Sequence, residues 1–147
     1  MLQIKDVRIG NLFDWDINET CVVEGIIGYQ LTKDTLHLKG NRFGKPFIVN
    51  AAIGDVNPIK LNIYWFDKFG FQLLKNRYVL YSEDGTSSII LTEINDGFFY
   101  PSFCQEPEIS TQSEQIVSFK RIEFVHELQN LVYSLIGKEL SDVANGS

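Results

Sequence analysis

The sequence is poor in the residues from which most metal sites and nucleophilic sites are built. It contains two histidines and two cysteines, and neither cysteine belongs to a CxxC pair or has a histidine close by in sequence. Cys21 and Cys104 are therefore expected to be thiols in a reducing compartment, although the sequence leaves a disulfide between them open. We predict that the protein is not an enzyme and carries no metal, small-molecule cofactor or catalytic residue.

One histidine lies in a segment that comes near a zinc-hydrolase motif. VHELQN, residues 125–130, has His126 and Glu127, but Asn130 stands where such a helix needs its second histidine. Apolar residues recur at spacings of three and four from Phe124 to Leu135, and Gly137 follows. This pattern predicts a packed C-terminal helix, with His126 partly exposed or hydrogen-bonded near its start.

Long apolar runs are also missing. The N-terminal segment MLQIKDVRIGN has three charges where a signal peptide needs an apolar stretch, and no segment is long enough to span a bilayer. We expect a protein that is cytoplasmic and makes no membrane contact. The length of 147 residues predicts one domain over 1–140 and a flexible tail over 141–147.

Basic residues are absent from the whole stretch between Arg77 and Lys120, which contains seven carboxylates. The net charge of the chain is −6. This distribution argues against general nucleic-acid binding, which needs a continuous basic track, and it is compatible with binding a basic protein surface. The alternative interpretation is a solvated acidic face that serves only solubility.

Short β-rich segments separated by Gly, Asn and Asp precede residue 60. In DTLHLKG, alternation predicts that Leu36 and Leu38 share one face while His37 faces solvent. Gly25 is predicted to mark a bend or bulge. These features predict a strongly bent antiparallel sheet whose N-terminal part is SH3-like.

A short middle helix is predicted in NIYWFDKFG, with Asn62 as its N-cap and Gly70 as its C-terminal stop. Residues 71–103 are predicted to form a β-meander with a turn at Asp84-Gly85, and a second turn is expected at residues 95–97. The acidic segment 105–115 is expected to be an exposed loop. The predicted fold class is therefore α+β, with a bent sheet, a short middle helix and a packed C-terminal helix.

The segment GNRFGKP, residues 40–46, lacks the glycine spacing and the hydroxyl residue of a phosphate-binding P-loop. A glycine-containing hairpin with basic residues at its tip explains it better. Lys39, Arg42 and Lys45 are therefore the candidate RNA contacts of a small RNA-binding module, which is the alternative function.

Aromatic residues crowd together in DGFFYPSF, residues 96–103, just before the acidic segment. Core burial is one interpretation of this cluster, and a protein interface of aromatic anchors beside carboxylates is the other. The candidate partner-binding residues are Glu83, Asp84, Asp96, Phe98, Phe99, Tyr100, Glu106, Glu108 and Glu114.

Three segments, RIGNLF, FDKFGF and VHELQNLVYSLIGKEL, occur in this order at the two ends and the centre of the chain. Together they resemble a family of small proteins from Bacteroidetes genomes and their phages. The resemblance implies a phage or prophage context and carries over no catalytic residues. In that context, we expect an inhibitor of a host defence system, such as an anti-CRISPR protein acting on the RNA-guided nuclease Cas13b or its guide-RNA complex. A small hydrolase is a third hypothesis, for which the sequence offers no acid/base pair.

Overall fold

The computed structural model describes residues 2–15, 19–27, 35–42, 45–94, 97–105 and 115–141. These residues form two antiparallel sheets and two α-helices, which confirms the predicted α+β class. The strands are β1 Leu12–Trp15, β2 Glu19–Ile27, β3 Thr35–Arg42, β4 Lys45–Ala52, β5 Val56–Asn57, β6 Gln72–Leu74, β7 Arg77–Tyr81, β8 Ser87–Glu93, β9 Phe99–Gln105 and β10 Gln115–Ser118. The helices are α1 Ile63–Lys68 and α2 Val125–Ile136, and short 3-10 turns occupy Ile4–Asp6 and Ile53–Asp55. None of the helices in the described part of the chain is long and apolar enough to cross a membrane.

By backbone proximity the chain falls into two compact units. The first comprises Met1–Lys60 with Phe124–Asn130, and the second comprises Leu61–Glu123 with Leu131–Ser147. Helix α2 contributes residues to both. A single domain over 1–140 remains a prediction, and the predicted tail at 141–147 lies, except for Ser141, outside the described residues.

The first unit contains a five-stranded sheet with the order β4-β3-β2-β1-β5. Leu36 and Leu38 are fully buried while His37 between them is half-buried, which confirms the predicted alternation along β3. The register of β2 against β3 shifts between Val23 and Gly25. The irregularity that Gly25 predicts is therefore present.

The core of the first unit lies on the leucine-bearing face of this sheet, and the backbone at Gly40 passes very close to it. A Cβ atom added at Gly40 would lie 2.9 Å from Sγ of Cys21 and 2.9 Å from Cζ of Phe47. Only glycine fits this position without displacing a neighbour. On the same face, the rings of Trp15 on β1 and Phe47 on β4 have centroids 5.8 Å apart.

The second unit contains a five-stranded sheet with the order β10-β9-β8-β7-β6, so the predicted meander is confirmed. One face of the sheet packs around the fully buried ring of Phe66. The centroid of this ring lies 4.6 Å from that of Tyr78, 4.7 Å from that of Phe99 and 5.8 Å from that of Phe71. These aromatic contacts form the centre of the second core.

Both helices begin and end where local chemistry predicts. The Asn62 side chain accepts a hydrogen bond from the Trp65 backbone N–H at 3.4 Å, and Gly70 has a φ of 86° after the last turn of α1. At α2, the Glu127 carboxylate accepts from the backbone N–H of Phe124 at 3.0 Å. Gly137, with a φ of 68°, follows the end of α2. The predicted packed C-terminal helix is thus present at the expected position.

Candidate functional site

The histidine of VHELQN is buried in the first unit, with only 5% of its surface exposed. Its ring packs against two phenylalanines: the Phe13 centroid is 5.0 Å away, and the Phe124 ring is nearly parallel at 6.0 Å. Nδ1 of His126 has no hydrogen-bond partner, and no other buried side-chain nitrogen or oxygen in the described ranges lacks one. The expectation of a partly exposed ring was wrong, because the packing of this ring against Phe13 and Phe124 accompanies its burial.

Burial also sets the charge of this ring. Desolvation lowers the pKa of His126, and the nearby carboxylates of Glu127 and Asp6 oppose that shift only in part. The imidazole is therefore neutral at neutral pH.

His126 lines a cleft of about 660 Å³, a volume within the range of pockets that hold small molecules. The cleft combines charged, amide, aromatic and aliphatic groups. Its lining consists of Leu2, Lys5, Asp6, Pro58, Phe124, His126, Glu127 and Asn130.

Asn130, which occupies the position of the missing second zinc ligand, has a structural role. Its Oδ1 accepts hydrogen bonds from Nδ2 of Asn11 at 2.8 Å and from Nε of Arg8 at 3.2 Å. Its Nδ2 donates to the backbone carbonyl of Asp6 at 3.1 Å. The amide therefore attaches the N-terminal segment to helix α2.

Gln129 acts in the same way from within the core. It is fully buried, its Oε1 accepts from the Leu12 backbone N–H at 2.8 Å, and its Nε2 donates to the Gly10 carbonyl at 3.1 Å. Sequence reasoning missed this pair of amides. The signal in the sequence was the adjacent pair Gln129-Asn130, which lies next to the apolar positions of the predicted helix.

The predicted acidic residues Glu83 and Asp84 are exposed in the turn between β7 and β8. The Asp84 carboxylate accepts from the hydroxyl of Ser82 at 2.7 Å, and from the backbone N–H and hydroxyl of Thr86 at 3.1 and 2.8 Å. These hydrogen bonds lower the pKa of Asp84, and the bond from Ser82 has the largest effect. The turn therefore keeps a fixed negative charge over a wide pH range. The remaining acidic candidates, Asp96, Glu106, Glu108 and Glu114, lie outside the described residues.

The predicted aromatic candidates lie at the other end of the same sheet. Phe99 is 4% exposed and packs against Phe66, so it is unavailable to a partner. Phe98 is half-buried beneath the guanidinium of Arg121, 4.0 Å from the ring centroid, and Tyr100 is half-buried on β9. At about 3.3 Å per residue, the length of β9 separates this cluster from the acidic turn by roughly 20 Å. The structure does not bring the two groups together.

A row of side chains other than the predicted aromatic candidates lies beside the acidic turn. The strand register places Tyr81 opposite Ser88, Ser88 opposite Cys104 and Cys104 opposite Ile116, in one line across four strands. We call this line the Tyr81–Ile116 row. Its end members are 45% and 61% exposed. Sequence reasoning missed the row because it depends on the order and register of four strands.

Two of the basic hairpin candidates, Lys39 and Lys45, lie on opposite faces of the sheet. In the β3–β4 register, Lys39 is opposite Ile48, which is three positions from Lys45 on the same strand. Because side chains alternate along a strand, Lys45 lies on the face opposite to Lys39. Both side chains are exposed but do not form a single basic surface, and the side chain of Arg42 lies outside the described part of the structure.

The two thiols, Cys21 and Cys104, both lie among the described residues and form no disulfide. In the described ranges, no three side chains of His, Cys, Asp or Glu form a group suited to a metal ion. Comparison of the chain with protein-family models, with curated proteins and with solved structures finds no match in any of the three.

Proposed function

We propose that the protein is a non-enzymatic binding protein of phage or prophage type that inhibits a host defence effector by occupying a basic surface on it. The observation that carries the proposal is the position of the Tyr81–Ile116 row beside the acidic turn of the second sheet. Exposed apolar and aromatic anchors with a charged rim are typical of protein interfaces. In this proposal the row replaces Phe98, Phe99 and Tyr100 as the source of anchors.

Strand pairing brings Gln105 and Gln115 to the same end of the sheet as the acidic turn. Gln105, the last residue of β9, pairs with Ser87 just after this turn and also with Gln115, the first residue of β10. The sequence between Gln105 and Gln115 contains Glu106, Glu108 and Glu114, and no lysine or arginine occurs between Arg77 and Lys120. This excess of carboxylates in the sequence supports a partner with a basic surface.

Strand β10 supports the same proposal. It is the edge strand of the described sheet, and all four of its side chains are exposed, including Ile116 at 61% and Val117 at 52%. It contains no charge and no proline, the features that usually protect an edge strand from pairing. An extended segment of a partner would add to this edge through main-chain hydrogen bonds.

The partner that fits best is an effector with a positively charged channel. RNA-guided nucleases hold their guide RNA against basic surfaces, and an acidic protein competes for such surfaces or distorts how the RNA is held. Together with the resemblance to phage-associated proteins, this supports Cas13b or its guide-RNA complex as the target and the cytoplasm as the site of action.

The contact of Trp15 with Phe47, which lie on strands separated by two other strands, supports a strongly bent, SH3-like first sheet.

Target cleavage by the purified effector tests the proposal. Cas13b with its guide RNA should cut a labelled target RNA, and equimolar addition of this protein should suppress cleavage. The Ile116→Ser variant should suppress cleavage less, while Ile48→Ser, which alters a side chain of nearly equal exposure in the first sheet, should act like the wild type. Full cleavage in the presence of excess wild-type protein would contradict the proposed target.

A further inference from the structure

A row of four side chains crosses the face of the second sheet that is opposite to the aromatic core. Tyr78 and Phe99 contact Phe66 in that core, and Leu91 and Ile122 are buried. Because side chains alternate along an extended chain, a residue next to each of these core residues points to the opposite face. We call these residues the Arg77–Arg121 row, and its members are Arg77, Thr92, Tyr100 and Arg121.

Strand pairing brings the four positions side by side. Thr92 and Tyr100 pair directly between β8 and β9. The register of β7 against β8 places Arg77 opposite Thr92, and the antiparallel bridge at Phe99 places Arg121 beside Tyr100. The order across the sheet is therefore cation, hydroxyl, aromatic ring, cation. At about 4.8 Å between neighbouring strands, the backbones of the two arginines are roughly 14 Å apart.

Both arginines are accessible to a ligand. Arg77 and Arg121 are exposed, and Thr92 and Tyr100 between them are half-buried. The guanidinium of Arg121 lies 4.0 Å from the ring centroid of Phe98, a cation–π contact that orders this side chain. In sequence, the two arginines lie on either side of the acidic stretch. The sheet therefore unites two charges that are far apart along the chain.

The groups that flank the row favour an anion. Lys75, in the turn before β7, and Lys120 are also exposed. Glu93 pairs with a core residue of β9, so its side chain lies on the other face of the sheet, and Glu123 is half-buried. An anionic ligand that approaches this face therefore meets exposed cations first.

The arrangement of the row distinguishes between kinds of anion. Proteins that bind single-stranded nucleic acid stack bases on aromatic side chains, in several cases on an open sheet, and hold the phosphates with basic residues. Tyr100, with an arginine on each side along the row, provides both kinds of contact. An acidic peptide would use the arginines alone, because its carboxylates carry no planar ring to stack on the tyrosine.

We propose that the Arg77–Arg121 row binds single-stranded nucleic acid, with a base stacked on Tyr100 and the adjoining phosphates held by the two arginines. This activity goes beyond the proposed inhibitor function and does not depend on it. The Tyr81–Ile116 row crosses the same face roughly 13 Å away along β7, so the two surfaces are separate. The Arg77–Arg121 row also takes the place of the β3–β4 hairpin as the candidate RNA contact.

Fluorescence anisotropy with the full-length chain tests the proposal in the absence of any effector. The probes are a fluorescent oligouridine, an oligothymidine and a duplex RNA of the same length. Both single strands should bind saturably at low salt, and the duplex should bind at least about fivefold more weakly, because its bases cannot stack on the protein. Unlabelled polyglutamate should displace neither single strand. Tighter binding of oligouridine would identify RNA as the natural ligand, and the reverse order would identify DNA.

Variants locate the site and separate stacking from charge. Tyr100→Leu should weaken binding at least about fivefold, whereas Tyr100→Phe, which keeps the ring, should bind like the wild type. Arg77→Gln and Arg121→Gln should each weaken binding and reduce the slope of log affinity against log salt by about 0.7. Lys45→Gln, at an exposed basic residue of the first sheet, is the matched control.

Four results would overturn the proposal. They are the absence of saturable binding at low salt, equal binding of the duplex, displacement by polyglutamate, and an effect of Lys45→Gln as large as that of Arg77→Gln.

Discussion

Gln129 and Leu12, 117 positions apart in sequence, are joined by a 2.8 Å hydrogen bond from the Leu12 backbone N–H to the Gln129 side-chain oxygen. Both residues are buried, and the other end of the same amide donates to the carbonyl of Gly10. One side chain thus satisfies two backbone groups at the start of β1. Gln129, which precedes the asparagine that stands in place of the second zinc-binding histidine, therefore fastens helix α2 to the N-terminal segment.

Replacement of Gln129 by leucine should destabilise the protein substantially. Leucine has a similar volume, but it leaves the buried Leu12 N–H and the part-buried Gly10 carbonyl without these hydrogen bonds, at a cost of about 2–4 kcal/mol in the free energy of unfolding. Urea denaturation followed by circular dichroism measures this difference. The same change at the exposed Gln72 should cost less than about 0.5 kcal/mol. Equal effects at the two positions would mean that the amide contributes nothing specific.

Gly40→Ala should also destabilise the protein, by about 1–3 kcal/mol, because the new methyl group would overlap the Cys21 sulfur and the Phe47 ring. Gly54 offers the matched control, since a Cβ added there has no neighbour within 4 Å. Thermal unfolding of both variants checks the prediction. A Gly40→Ala protein as stable as Gly54→Ala would show that the packing around Cys21 relaxes freely.

Stability should fall on mild acidification because of His126. Its pKa is lowered in the folded state, so below the ordinary value of 6.5 the unfolded chain binds a proton that the folded protein does not. The free energy of unfolding should therefore be constant above about pH 6.5 with respect to this group and decrease as the pH falls below it. Its pH dependence is measured by urea denaturation across this range. In His126→Phe, which keeps an aromatic ring against Phe13 and Phe124, the decrease should be smaller; an unchanged slope would assign the decrease to other groups.

The sequence predicted those features that depend on neighbouring residues. The cap at Asn62, the stop at Gly70, the Asp84-Gly85 turn and the buried alternation of Leu36 with Leu38 are each determined by chemistry within a few positions. Such local chemistry operates before any tertiary contact exists, so it can be recognised in a single sequence.

The candidate sites were less predictable because they depend on contacts between distant segments. The burial of His126 requires Phe13 from β1, and the Tyr81–Ile116 row requires the register of four strands. Phe99 and the acidic residues are close together in the sequence, and this proximity suggested a single surface. In the structure, Phe99 and the acidic turn lie at opposite ends of the second sheet, because an extended strand separates residues along its length.

The most direct test of the central claim is the affinity of the purified protein for purified Cas13b with its guide RNA, measured by biolayer interferometry at low and physiological salt. We predict a saturable complex that weakens as salt rises, because exposed charges are screened. Ile116→Ser combined with Glu83→Lys should weaken it at least about tenfold, and Ile48→Ser should leave it unchanged. No complex at low salt, or equal affinity of the double variant and the wild type, would contradict the account.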